Sequence, residues 1–228
     1  MTALTGRGST ETVRMSARVV FGVIALVVGT ALAIQLTLLF TGGQDANSGA
    51  SLGEIPVGTR LVRFFSYFTI QSNILVLVTS TALFVNVGRD GGFWRVLRLD
   101  AMLGIIITGL VYDIVLAPLQ HLTGWAETAT IGLHYISPWA TLLAWLIFGP
   151  RPRVSWRTFG FAFVWPFLWL VYTFIHGAAS GWYPYPFLDV TTIGYPDALR
   201  NSAGVLVVAV VIAAVLTTLD RRLPSAVR

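Results

Sequence analysis

Between Ala17 and Leu219 the chain passes six times through roughly twenty consecutive, mostly apolar residues, the length an α-helix needs to cross the hydrocarbon core of a bilayer. That recurrence leaves one architecture, an all-α integral membrane protein built as a six-transmembrane-helix bundle. The composition agrees: 55% of the 228 residues are hydrophobic and 11% are charged, whereas a soluble domain carries about a quarter of its residues as charges. The spans are predicted at about 17–40, 61–87, 99–119, 131–148, 158–177 and 199–219, with polar tails at 1–16 and 221–228. The first apolar run is too long for a signal-peptide core and no small-residue cleavage site follows it, so it reads as a retained span. Pro166 is predicted to kink or adjust the fifth span, and the aromatic segment 180–197 reads as a loop lying in the interface, where Trp and Tyr prefer to sit.

Arginine sets the orientation. All fifteen basic residues are Arg, a usage that points to a GC-rich and hence bacterial coding sequence. With six spans, Arg7, Arg14, Arg18, Arg89, Arg95, Arg98, Arg151, Arg153, Arg157, Arg221, Arg222 and Arg228 share one side, and Arg60, Arg63 and Arg200 the other. The excess places both termini in the cytoplasm of a bacterial plasma membrane. The same topological bias accounts for the net charge of +5, so the basic balance carries no implication of nucleic-acid binding. The absence of cysteine excludes disulfides, thiolate catalysis and Cys-ligated metals.

The segment Arg60 to Val87 is unlike a plain anchor, because Ser66, Tyr67, Thr69, Gln71, Ser72 and Asn73 crowd its first half. Polar groups at membrane depth cost free energy unless they find partners, and they mark candidate functional sites. At 1.5 Å per residue, Thr69 falls about 12 Å below the outer boundary. Asp113 near the end of the third span, His134 at the start of the fourth and His176 at the end of the fifth fall in the same outer half. A hydroxyl, two imidazoles and a carboxylate at one depth are what a nucleophile, a base and an orienting group require. Each has a plainer role as well: Thr69, Gln71 and Asn73 as interhelical glue, His134 as an interfacial residue, His176 as a helix-end cap. No phosphate-cradling glycine loop, nucleophile elbow or HExxH pair is present, and no metal or other cofactor is expected.

The stretch around Thr69, the Tyr112-Asp113 pair before Pro118, the Gly132-Leu133-His134 opening of a span, and His176 followed by Trp182 and Tyr185-Pro186-Phe187-Leu188-Asp189 together carry a resemblance. In order and spacing, from about residue 60 to 190, the chain resembles the androgen-induced and androgen-dependent integral membrane proteins and their bacterial six-span relatives. Members of that family are multi-pass threonine hydrolases of fatty acid esters of hydroxy fatty acids, with an essential Thr and His. By motif position the resemblance implies Thr69 as nucleophile and His134 as base. Asp113 or His176 is then expected to orient the base, and Asn73 or Gln71 to donate to the oxyanion. The expected substrate is a membrane lipid or fatty acyl ester. The competing expectations are a non-catalytic lipid-binding or structural membrane protein and, third, a small-solute transporter.

Overall fold

An apolar run with no water beside it satisfies its backbone groups internally only as a helix, and the computed structural model of the chain is accordingly helical. The structure describes residues 10–227; Arg7 and Arg228, which enter the orientation argument, lie outside them. Among the described residues, six helices are long and apolar enough to cross a membrane: Thr10–Thr41, Phe68–Val85, Gly92–Leu119, Gly124–Phe148, Trp156–Ser180 and Val190–Arg222. These are the first to sixth spans below.

The third span is central. Its residues from Arg98 to Gly109 are buried without interruption, as befits a helix surrounded by others. Gly104 is where its neighbours close in, since a Cβ there would lie 2.8 Å from Ser72 Oγ on the second span and 2.9 Å from the Trp165 ring on the fifth. Gly132 plays the same part between the fourth span and the first, with Ala31 Cβ only 2.6 Å from the position a Cβ would take. The fifth span is peripheral, with Phe167, Leu168 and Ile175 all exposed, and it reaches the bundle through large rings, Trp165 stacking on Phe68 at 4.8 Å.

Three elements differ from the sequence reading. The predicted single helix over 61–87 is two, Val57–Ser66 and Phe68–Val85, separated by an extended Tyr67 (φ −67°, ψ 127°). The fifth span is interrupted before Pro166 rather than at it: one helix ends at Phe161 and the next begins at Val164. Proline clashes with the carbonyl four residues earlier, here Ala162, which explains the offset. The segment 180–197 is not a loop throughout, because the sixth span starts at Val190, broken inside by Gly194 (φ 75°, ψ 163°) before Pro196. Residues 183–185 are buried, so this stretch packs against the bundle.

The two ends of the bundle are built differently. At one end Arg98 donates to the Gly149 carbonyl at 2.8 Å, Arg151 to the Trp145 carbonyl at 2.8 Å, and Val227 N–H to the Phe148 carbonyl at 3.0 Å. Asp90 pairs there with Arg95 at 2.7 Å and with Arg153, and the Arg95 guanidinium holds its carboxyl well below the usual carboxylate range. At the other end the loop after the first span is clamped by Arg60, whose guanidinium donates to the carbonyls of Leu39 at 2.7 Å, Gly53 at 3.0 Å and Ile55. Asp45 in that loop is buried and accepts from Asn47 N–H at 2.7 Å; burial raises its carboxyl pKa against those hydrogen bonds.

Candidate active site

The break at Tyr67 builds the site. Interrupting a helix orphans backbone groups on both sides, and neither glycine nor proline is there to mark the place. Side chains take up the loose ends instead. Gln71 Nε2 donates to the Phe65 carbonyl at 2.8 Å, Trp169 Nε1 to the Ser66 carbonyl at 2.8 Å, and Thr69 N–H donates to the Tyr185 hydroxyl at 3.1 Å. Thr69 therefore stands in the first turn of the second span, at the positive end of its macrodipole, rather than eight residues along a longer helix.

His134 meets it there. Thr69 Oγ1 and His134 Nε2 are 3.3 Å apart, with Thr69 3% exposed and His134 fully buried. His134 sits in a π-helical stretch, Ile131–Ile136, and its ring stacks at 4.1 Å on Tyr112, which begins a second π-helical stretch, Tyr112–Leu116. Such bulges recur at functional sites. They re-aim side chains, and here they put the two rings face to face. Asn73 Nδ2 ties the two spans together beneath, donating to the Thr69 carbonyl at 2.9 Å and the Leu133 carbonyl at 3.2 Å.

The other residues singled out from sequence have other surroundings. Asp113 is exposed, one position past the inward-facing Tyr112, and shares no hydrogen bond with His134. His176 is half-buried, stacked on Tyr172 at 5.4 Å and set edge-on to Trp182 at 6.0 Å, with Ser180 Oγ 3.4 Å from its Nδ1. Neither shares a hydrogen bond with His134, whose imidazole is stacked on the Tyr112 ring. Gln71 accepts from Trp165 Nε1 at 2.8 Å while its amide donates one hydrogen to Phe65, the Asn73 amide donates to two carbonyls, and neither residue lines the cavity on which Thr69 opens. Among the described residues, no three acidic, His or Cys side chains gather as a metal centre would need.

Thr69 opens on a cavity of about 560 Å³ between the second, third, fifth and sixth spans. Phe68, Val111, Phe163, Leu188 and Ala209 give it an apolar wall, and Thr69, Thr108, Tyr185 and Ser202 supply its hydroxyls. Its far side is formed by Val164, Phe167, Leu168, Leu206 and Val210, side chains of the fifth and sixth spans that are themselves exposed. Tyr185, which sequence reasoning noticed only within a motif, is the polar residue next to the nucleophile candidate, 3.2 Å from Thr69 Oγ1. Burial pushes its phenol up to about 12, against hydrogen bonds from Thr69 and Phe68 that favour the phenolate, so it holds its proton at neutral pH. Comparison of the chain with family models, with curated proteins and with solved structures finds no match, and the site stands on its own geometry.

Proposed function

We propose that the protein is an intramembrane lipid-ester hydrolase in which Thr69 is the nucleophile and His134 the base. The observation that carries this reading is the buried 3.3 Å contact between Thr69 Oγ1 and His134 Nε2 at the wall of a chain-sized apolar cavity. Free threonine is a weak nucleophile and needs an adjacent base. Here an imidazole nitrogen lies beside its hydroxyl. The acyl chain of an ester lies in the cavity with its carbonyl at Thr69. His134 Nε2 takes the Thr69 proton as the Oγ–C bond forms, and the carbonyl π electrons move to oxygen. Collapse of the adduct expels the alcohol, which receives the proton from His134. Water, deprotonated in turn by His134, then attacks the acyl-threonine and restores the free hydroxyl.

The order of motifs resembling the androgen-induced and androgen-dependent membrane hydrolases supports the same assignment. The arginine excess at the end carrying Arg98 and Arg151 favours cytoplasmic termini, which would set Thr69 toward the outer leaflet of a bacterial plasma membrane. A second reading, non-catalytic lipid binding, is favoured by the sparse polar lining of the cavity. One experiment separates the two. Purified protein is treated with a fluorophosphonate probe, which modifies activated hydroxyls; labelling is expected in the parent and in Thr79→Ala, whose hydroxyl bonds only its own helix, and is expected to vanish in Thr69→Ala. Equal labelling of all three, or none of the parent, would leave lipid binding as the better account.

A further inference from the structure

An acyl transfer at Thr69 leaves one charge to account for. As the tetrahedral adduct forms, the former carbonyl oxygen becomes an anion inside a water-poor cavity, and preorganised donors at that position are a large part of the rate enhancement in such reactions. The Asn73 amide already donates to two carbonyls, and Gln71, donating to the Phe65 carbonyl, does not line the cavity. One further hydroxyl, that of Tyr185, lies within hydrogen-bond distance of Thr69. Thr69 N–H can only donate, so at 3.1 Å the Tyr185 oxygen accepts from it. Where His134 Nε2 is the unprotonated ring nitrogen and accepts the Thr69 hydrogen at 3.3 Å, the phenolic hydrogen serves the remaining contact, 3.2 Å away at Thr69 Oγ1. The result is a row with one sense: backbone N–H to Tyr185, Tyr185 to Thr69, Thr69 to His134. Each bond in such a row polarises the next.

The ring that carries this hydroxyl is held on several sides. It stacks on Phe187 at 5.4 Å, nearly parallel, and packs against Tyr67 at 5.8 Å and Trp169 at 6.1 Å. It also lines the cavity beside Thr69, with its hydroxyl 3.2 Å from the Oγ1 to which an ester would bond. Once Oγ1 is bonded to the acyl carbon, the adjacent oxyanion is the better acceptor for the same hydrogen. Resting on the Thr69 and His134 reading, we propose that Tyr185 is a catalytic residue that donates its phenolic hydrogen to the ester oxygen as it becomes the oxyanion, with Thr69 N–H holding the phenol on target. No proton changes owner in this interaction, so its contribution is electrostatic.

The test uses the full chain in lipid nanodiscs with a fluorogenic long-chain ester. Tyr185→Phe keeps the ring and its packing, and is expected to lower kcat about 100-fold, the usual cost of removing one oxyanion donor, with KM unchanged. A second variant carries 3,5-difluorotyrosine at position 185, which keeps both ring and hydroxyl but makes the phenol more acidic. A donor must stay protonated, so the alkaline limb of kcat is expected to move to lower pH, a shift that a merely packing or N–H-accepting tyrosine would not produce. Should the Phe variant misfold, as judged by its melting temperature, the fluorinated protein still decides. Unaltered kcat in a folded Tyr185→Phe, or an alkaline limb unmoved by fluorination, would overturn the proposal while leaving Thr69 and His134 standing. Absence of Thr69-dependent turnover in the parent would instead remove the reading beneath it.

Discussion

At the scale of single residues, Thr69 is the position where chemistry and packing can be separated most cleanly. Thr69→Val preserves shape and removes the hydroxyl, so esterase turnover is expected to disappear at normal expression, whereas Thr69→Ser keeps measurable activity. Full turnover in the valine variant would make Thr69 a packing residue. The double change Thr69→Ala/His134→Ala should cost little more than either alone, because groups that share a step are strongly non-additive; two losses that multiply would mean separate roles. Depth along a helix was readable from sequence at 1.5 Å per residue, and depth gathered Thr69, Asp113, His134 and His176 at one level. Direction around the axis was not. Each residue turns a helix by about 100°, so Tyr112 facing inward sends Asp113 out, and the π-helical stretches at Tyr112–Leu116 and Ile131–Ile136 shift that phase with no sequence marker.

At the scale of elements, the decisive feature is the break at Tyr67, and its signal in the chain is non-local. Glycine and proline mark interruptions locally, as Pro166 does for the fifth span. The break at Tyr67 is held by Gln71 within the same segment, by Trp169 on another span and by Tyr185 in a loop more than a hundred residues away. Six spans were therefore legible from hydropathy alone, and the one discontinuity that sets the nucleophile candidate at a helix start was not. Trp169→Phe keeps an aromatic ring and deprives the Ser66 carbonyl of its donor, which should destabilise the fold by about 1–3 kcal/mol, the cost of an unsatisfied buried acceptor. Thermal unfolding in detergent measures the loss, and a melting temperature equal to the parent's would show that the carbonyl finds another donor. The Arg60 clamp makes a stronger case: Arg60→Leu abandons three carbonyls at once and should cost at least about 3 kcal/mol.

At the scale of the whole molecule, orientation is open to direct measurement because the chain has no cysteine. Single cysteines at the exposed positions Glu54 and Thr123 are expected to react with an impermeant maleimide in intact cells, and one at the exposed Arg157 only after permeabilisation; labelling of position 157 in sealed cells would invert the arrangement. Asp45 would be a poor reporter despite its polar loop, since it is buried. The cavity beside Thr69 has a wall made of Val164, Phe167, Leu168, Leu206 and Val210, and those same side chains form part of the apolar exterior. A ligand reaching Thr69 through that wall would arrive from the plane of the bilayer without first dissolving in water. Its effective concentration would then be a mole fraction in a two-dimensional solvent. Turnover should accordingly follow surface dilution: adding inert phospholipid at constant bulk ester should slow the reaction, and adding buffer at constant lipid composition should leave it unchanged.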